Sequence, residues 1–125
     1  MKTYRRERTV IFVSSRGPEA TVEQDMKAYG LAMQWAPNIA AAADLLNSTR
    51  QKAVIVTELA LSDGNWRDLV QRVRCIDTST QIVLATPSRT AELWWDALEC
   101  GIDDILTGPP MASRLRQLLE AQDAS

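Results

Sequence analysis

The chain has 125 residues, 46% hydrophobic and 24% charged, which is typical of one globular domain rather than two. Its net charge of -2 and its pI near 5.1 exclude a general basic surface for direct nucleic-acid contact. We therefore take 1–125 as a single domain, with a basic, solvated lead-in at 1–8 and a frayed tail at 123–125. Such a domain is either a complete small protein or a piece of a longer one.

Three absences narrow the chemistry and the location. The sequence has no histidine, which excludes histidine acid–base catalysis, histidine metal sites and a histidine phosphorelay on this chain. Its two cysteines, Cys75 and Cys100, have no CxxC or metal-site spacing, so we expect reduced thiols, with Cys100 packed beneath a helix. No apolar stretch approaches the roughly 18 residues of a membrane span, and the first residues lack a cleavable leader. These features predict a cytoplasmic protein without membrane contact.

Short apolar runs alternate with helical patterns in the first part of the chain. The run "TVIFV" at 9–13 predicts a buried strand, because it is brief and rich in β-branched residues. A helix is expected within 17–30, followed by a weaker strand at 31–36. Asn38 is then a suitable N-cap for an alanine-rich helix at 39–51.

The middle of the chain repeats this pattern with stronger signals. The run "AVIVT" at 53–57 predicts a second strongly buried strand. The stretch "LSDGN" at 61–65 predicts a turn, and "WRDLVQRVR" at 66–74 predicts a helix. Asn65 and Asp68 stand at the N-cap and third helical positions, which predicts a capping box.

Two further strand–helix units complete the pattern. The run "QIVLA" at 81–85 predicts a strand, and 91–100 predicts a helix that Gly101 stops. A fifth strand is expected at 103–107, and a last helix at 112–122 follows two prolines.

This order predicts an α/β fold with a five-stranded parallel sheet and helices on both faces, because right-handed crossovers place them there. Functional groups in doubly wound sheets gather at the carboxyl ends of the strands. The residues expected at those ends are Ser14, Ser15, Glu58, Thr86 and Gly108.

The strand ends resemble the receiver domain of bacterial two-component response regulators, and the likeness covers nearly the whole chain. Its most specific parts are "VIVTELALSDG" and "ALECGIDDILTGPP", together with Thr86 after "IVLA". The resemblance implies a flavodoxin-like sheet with strand order 2-1-3-4-5. In this family an aspartate accepts a phosphoryl group from a histidine kinase, two further acidic residues help to hold Mg²⁺, and a lysine and a hydroxyl residue complete the site.

Carried onto this chain, the resemblance implies a pocket that has lost most of its chemistry. The acidic pair corresponds to Ser14 and Ser15, the phosphoacceptor to Glu58, and the lysine to Gly108, while Thr86 keeps its hydroxyl. Magnesium prefers hard oxygen ligands, and phosphoryl transfer depends on positioned positive charge. We therefore expect no phosphorylation of the usual kind, no enzymatic activity, no metal and no cofactor.

Two family features near the end of the chain are also altered or uncertain. The switch aromatic of the family corresponds to Ile105. Pro109 corresponds to the family proline after the lysine, so we expect a cis peptide between Gly108 and Pro109, the alternative being an ordinary trans turn.

Several interpretations of Glu58 stay open. Its carboxylate could be idle, could mimic an aspartyl phosphate, or could form an ion pair with Arg16 that replaces the metal. Residual phosphoacceptance is an alternative function. A further alternative is a small anionic ligand, such as a flavin phosphate, at the hydroxyl-rich loop 14–17, although Pro18 removes one backbone donor there.

The tryptophans suggest a contact surface. Trp94 and Trp95 are consecutive on one predicted helix, so both cannot face the core, and Trp95 is expected to point outward. The residues expected to face the sheet are Leu93, Ala97, Leu98 and Gly101. Trp35 and Trp66 are expected to pack at the end of the second strand and the start of a helix.

The resemblance places this surface on the face formed by helix 4, strand 5 and helix 5, where family members bind effectors or dimerise. We therefore expect a protein partner or effector domain there, or a homodimer. The module is then regulatory, and it could precede a transcriptional effector in a longer protein.

Overall fold

The computed structural model describes residues 8–17, 20–49, 53–87 and 90–107, together with Leu115 and Gln117, which have helical backbone. The strands of the main sheet are β1 Arg8–Val13, β2 Leu31–Ala36, β3 Ala53–Thr57, β4 Gln81–Ala85 and β5 Asp104–Leu106. The helices are α1 Ala20–Ala28, α2 Ile39–Ser48, α3 Trp66–Ile76 and α4 Ala91–Cys100. None of the helices in these ranges is long and apolar enough to cross a bilayer.

The five main strands form one parallel sheet in the order β2-β1-β3-β4-β5. This confirms the predicted α/β architecture and the strand order. The register brings Val13 of β1 beside Thr57 of β3, and Thr57 in turn beside Leu84 of β4. The residues that follow these strands therefore meet at one edge of the sheet, the carboxyl edge.

The core consists of two hydrophobic clusters, because alternate residues of each strand face opposite sides of the sheet. One cluster joins strand residues such as Ile55 to the helices α2, α3 and α4. The other joins strand residues such as Val56 to Met26 of α1 and to Leu115. β3 is buried along its whole length, which explains its run of apolar residues without polar alternation.

The predicted helix caps are present. The Asn38 side chain accepts a hydrogen bond from the backbone N–H of Ala41 at 2.8 Å. At α3, the Asn65 side chain accepts from the Asp68 N–H at 3.2 Å, and the Asp68 carboxylate accepts from the Asn65 N–H at 3.0 Å. Gly101 ends α4 with a φ of 90°, a left-handed conformation that favours glycine.

The segment predicted as a turn before α3 is a two-stranded antiparallel hairpin of Ala60–Leu61 and Gly64–Asn65, called here the β3–α3 hairpin. The carboxylate of Asp63 at its tip accepts hydrogen bonds from the N–H groups of Ile39 at 2.9 Å and Ala40 at 3.2 Å. The segment that follows Glu58 is therefore fastened to the N-terminus of α2. A Cβ at Gly64 would lie 2.6 Å from the Asp68 carboxylate, so only glycine fits there without a shift.

Several boundaries differ from the sequence prediction. α2 ends at Ser48 rather than at 51, and α3 continues to Ile76 rather than ending at 74. The fifth strand is shorter than predicted, at Asp104–Leu106. The lead-in before Arg8, most of the last predicted helix and the tail at 123–125 lie outside the described residues.

Candidate functional site

A cavity of about 350 Å³ opens at the carboxyl edge of the sheet. It receives residues from the segments that follow β1, β3 and β4, as expected where the ends of parallel strands meet. Its described lining residues are Ser15, Arg16, Glu58, Leu59, Ala60, Ala85 and Pro87. The predicted site residues Ser15, Arg16 and Glu58 thus share one cavity.

Glu58 is positioned by its backbone. Its N–H donates a hydrogen bond to the carbonyl oxygen of Val13 at 3.3 Å, which extends the β1–β3 pairing by one residue. Its carbonyl oxygen accepts from the Thr57 hydroxyl at 2.9 Å. The side chain is half-buried and contributes the carboxylate among the described lining residues of the cavity.

One of the interpretations of Glu58, an ion pair with Arg16, does not agree with the structure, because the pair is not formed. Both residues lie in the described part of the chain, and no nitrogen of the Arg16 guanidinium comes within 4.0 Å of a Glu58 carboxylate oxygen. Arg16 is exposed at the cavity mouth. Proximity along the strand ends does not fix the direction of a long, solvated side chain such as that of Arg16.

Ser14 and Ser15 do not occupy equivalent positions, although they are neighbours in sequence. Ser14 is only 1% exposed and is not among the lining residues, whereas Ser15 is exposed and lines the cavity. The Ser14 hydroxyl is buried without a hydrogen-bond partner. The expectation that both serines belong to the cavity therefore holds only for Ser15.

Trp35 on the neighbouring strand β2 fixes the loop that carries these serines. Its indole Nε1 donates a hydrogen bond to the carbonyl oxygen of Ser14 at 2.9 Å. The ring also lies over Gly17, where an added Cβ would sit 3.8 Å from two ring atoms. Trp35 is 41% exposed, so its side chain covers the loop from the solvent side and is not part of the core.

No protein-family model matches the sequence, and no curated protein matches it. Solved structures match it closely in shape. The signal receiver domain of an HD domain-containing protein from Pseudomonas fluorescens Pf-5 has a TM-score of 0.79 and 22% identity, covering 99% of this chain and 95% of that one. The receiver domain of response regulator 1452 from Francisella has a TM-score of 0.78 and 19% identity, covering 91% of this chain and 98% of that one.

A third match is a two-component response regulator from Clostridium difficile, with a TM-score of 0.75 and 22% identity over 92% of this chain and 94% of that one. The chain has the receiver-domain fold. At these identities the likeness concerns the fold, so the roles of individual side chains depend on the geometry of this chain alone.

The predicted site residues Thr86 and Ile105 are both buried, and neither is among the lining residues of the cavity. The N–H of Thr86 donates to the carbonyl oxygen of Leu106 at 3.0 Å, which ties the end of β4 to β5. Ile105 is buried in the cluster that includes α2, α3 and α4. An aliphatic side chain there has no polar tip, and its surroundings are those of an ordinary core residue.

The remaining predicted residues of the site are Gly108 and Pro109, and both lie outside the described residues, as does the peptide bond that joins them. Within the described ranges, no group of three or more His, Cys, Asp or Glu side chains could hold a metal ion. The described lining of the cavity therefore offers one carboxylate and one exposed hydroxyl, from Glu58 and Ser15.

The four tryptophans fall into different environments. Trp66 is buried at the start of α3, and Trp94 packs partly against the core, whereas Trp95 is 64% exposed. The outward direction expected for Trp95 is the observed one. Leu98 is 46% exposed, so its expected sheet-facing position was wrong.

The reason for the error at Leu98 is helical geometry. Successive residues are about 100° apart round an α-helix, so Leu98 lies at the margin of a buried stripe centred on Ala97. Trp95 lies about 160° from Ala97 and faces solvent.

A second cavity, of about 390 Å³, lies between α2 and α3. Its described lining residues are Ile39, Ala40, Asp63, Asp68, Gln71, Arg72 and Cys75. The Asp63 and Asp68 carboxylates there are already engaged by backbone N–H groups. Cys75 is an exposed free thiol, and Cys100 is a half-buried free thiol packed against the core. The carboxylates of this second cavity thus serve mainly to cap helices. We therefore favour the cavity at the carboxyl edge as the functional site.

Sequence reasoning missed the roles of Trp35 and Asp63. Strand order 2-1-3 makes the end of β2 a neighbour of the end of β1, so Trp35 could have been found once that order was assumed. The Asp-Gly pair at the turn indicated a hairpin, but its docking on α2 joins residues that are 24 apart in sequence.

Proposed function

We propose that this chain is an atypical receiver-like signalling domain that is not phosphorylated in the usual way and acts through protein–protein contacts. The observation that carries the proposal is the cavity at the carboxyl edge of a receiver fold, whose described lining contains the single carboxylate of Glu58. The domain is regulatory rather than enzymatic, and it works without a metal or cofactor.

The donor set supports this proposal because it is poor for magnesium. Mg²⁺ requires near-octahedral oxygen ligands and is usually bound through one or two carboxylates together with substrate phosphates. Ser14 is buried and does not line the cavity, and Ser15 supplies a neutral hydroxyl. Each lost electrostatic group is worth about 3 kcal/mol in a transition state, so several losses together would suppress phosphoryl transfer.

The position of Glu58 also argues against an effective phosphoacceptor. Its longer side chain moves the carboxylate one methylene further than an aspartate would. The described cation beside it is Arg16, which lies at the cavity mouth and does not pair with it. Among the remaining interpretations, a solvated carboxylate at the rim fits this geometry best.

Protein contact is supported by the exposed Trp95 on α4, since a large exposed aromatic side chain is a typical binding anchor. We propose that the domain works in the cytoplasm and uses the surface of α4 and β5 to bind a protein partner or an effector domain. A transcriptional effector in a longer parent protein and a homodimer are both compatible with this function.

A second candidate function is the binding of a small anion at the Ser14–Gly17 loop. The unpaired guanidinium of Arg16 and the hydroxyl of Ser15, both at the cavity, favour it. The Glu58 carboxylate in the same cavity opposes it by like-charge repulsion.

The decisive experiment is titration with Mg²⁺ and beryllofluoride, followed by tryptophan fluorescence and amide NMR shifts. We expect no saturable, Mg²⁺-dependent change at Glu58 or Thr86, and no added mass after incubation with a small phosphodonor. A Ser15→Asp/Glu58→Asp variant, which restores two aspartates to the edge, is the positive control and should respond more strongly to Mg²⁺. Wild-type protein that responds as the restored variant does would overturn the proposal, and a response to phosphate without metal would favour the anion site.

A further inference from the structure

The outward side of α4 carries an apolar patch with an acidic border, called here the α4 patch. Trp95 is 64% exposed and Leu98, three residues further on, is 46% exposed on the adjacent part of the helix surface. Glu92 and Glu99 stand three residues before and four residues after Trp95, so their side chains flank the indole. Both glutamates are exposed.

All charged side chains within the segment 90–107 are acidic, while Arg67 of α3 supplies a cation beside Asp96. The segment 90–107 contains five carboxylates, from two glutamates and three aspartates, and no lysine or arginine. Asp96 is neutralised by Arg67 of α3, whose Nη2 lies 2.7 Å from its carboxylate. Glu92 and Glu99 form no ion pair in the described part of the chain, which leaves their charge available to a partner.

The negative charge of Glu92 and Glu99 favours some binding partners of the α4 patch over others. Two copies that met patch to patch would bring their glutamates together, and like charges across an interface are strongly unfavourable. An anionic membrane surface would be repelled for the same reason. A partner with positive charge around an apolar side chain would satisfy both the indole and the glutamates.

We propose that the α4 patch binds a basic amphipathic segment of another protein, with an apolar side chain of that segment covering Trp95 and Leu98 and its lysines or arginines facing Glu92 and Glu99. This inference rests on the proposed function and specifies the chemistry of the partner. The central contact supplies affinity, and the glutamates at its border supply association rate and selectivity.

The test uses a fluorescein-labelled synthetic amphipathic helix with leucines along one face and lysines on both flanks, together with a matched peptide carrying glutamates in place of the lysines. Anisotropy titrations with the intact chain should show binding of the lysine peptide only. Amide NMR shifts should map that binding to α4. The affinity should fall with ionic strength, because exposed charges are screened by salt.

Three variants sharpen the test. Trp95→Ala should weaken binding about tenfold or more, as expected for a central aromatic anchor. Glu92→Gln/Glu99→Gln should weaken it about fivefold at low salt, since exposed ion pairs are individually weak. The matched control is Glu23→Gln/Asp44→Asn, which removes two exposed charges from α1 and α2 and should leave the affinity unchanged.

Three results would overturn the inference: equal binding of the glutamate peptide, an equal loss in the control variant, or unchanged binding in Trp95→Ala. Sedimentation that reveals self-association abolished by Trp95→Ala would also overturn it, while the proposed function of protein contact would stand. Conversely, Mg²⁺-dependent phosphorylation of Glu58 would refute the proposed function without changing the peptide result.

Discussion

The two edges of the sheet each hold an arginine, and the two arginines are used very differently. At the amino edge, beside the starts of β4 and β5, Arg74 donates to the carbonyl oxygens of Thr80 at 2.5 Å, Thr78 at 3.4 Å and Gly101 at 3.2 Å. At the carboxyl edge, Arg16 is exposed and has no ion pair with any residue of the described ranges.

The two arginines differ in how many parts of the chain their side chains connect. Arg74 closes the turn between α3 and β4 and also reaches the end of α4, so it joins segments that are distant in sequence. The Arg16 side chain forms no ion pair in the described ranges, and it lines an open cavity together with Glu58. The Arg74 guanidinium therefore contributes to the stability of the fold, whereas the Arg16 guanidinium has no ion-pair partner in the described ranges.

The largest expected effect is at the amino edge. Arg74→Ala should reduce the free energy of unfolding by about 2 kcal/mol, because hydrogen bonds from a charged donor are lost and the Thr80 carbonyl loses its charged partner. Urea unfolding followed by fluorescence measures this loss. Arg72→Ala, an exposed arginine on the same helix, is the matched control and should change stability little. An equal loss of unfolding free energy in Arg74→Ala and Arg72→Ala would show that the hydrogen bonds of Arg74 do not stabilise the fold, and the contrast with Arg16 would then disappear.

The parts of the fold that the sequence predicts well depend on local signals. The buried run of β3 needs only its own apolar residues to be recognised, and the capping box of α3 needs only Asn65 and Asp68, three positions apart. Strand order followed from the family resemblance and the alternation of strands and helices. These signals were sufficient to predict the architecture and to predict that Ser15, Arg16 and Glu58 lie close together, as they do in one cavity.

The parts that the sequence could not predict depend on the direction of side chains after folding. The contact of Arg74 with Gly101 spans 27 residues, and no local pattern indicates it. Ser14 and Ser15 are the same residue type, yet Ser14 is buried and Ser15 lines the cavity. The reason is that the side chains of neighbouring residues at a strand end point to opposite sides. The Arg16 side chain is long and solvated, so its distance from Glu58 could not be read from the spacing.

A smaller effect is expected at Asp77, which lies in the same amino-edge turn. Hydrogen bonds from the Ser79 N–H, the Ser79 hydroxyl and the Thr80 hydroxyl stabilise its carboxylate and lower its pKa below the ordinary value of 3.8, with a further contribution from Arg74. Because the folded pKa is lowered, this stabilisation is fully present above the ordinary value and is lost as pH falls through the folded pKa.

Ser79→Ala should therefore raise the Asp77 pKa and cost about 0.5 kcal/mol of stability at neutral pH, since this exposed site is screened by solvent. The cost should disappear as the pH falls below the folded pKa. Carboxyl NMR titration and urea unfolding at neutral and acidic pH measure the two quantities. Thr78→Ala in the same turn is the control. A pH-independent difference between Ser79→Ala and wild type would show that the hydroxyl acts by packing rather than through the carboxylate.

The smallest effect is expected at the carboxyl edge, and it provides the sharpest contrast with Arg74. Arg16→Ala and Glu58→Gln should each change the free energy of unfolding by less than about 0.5 kcal/mol, because neither side chain forms an ion pair in the described structure. A double-mutant cycle between them should give a coupling energy near zero. A coupling well above 0.5 kcal/mol would mean that the two groups pair in solution. The carboxyl edge would then resemble the amino edge, and the charges of the cavity would already be satisfied within the domain.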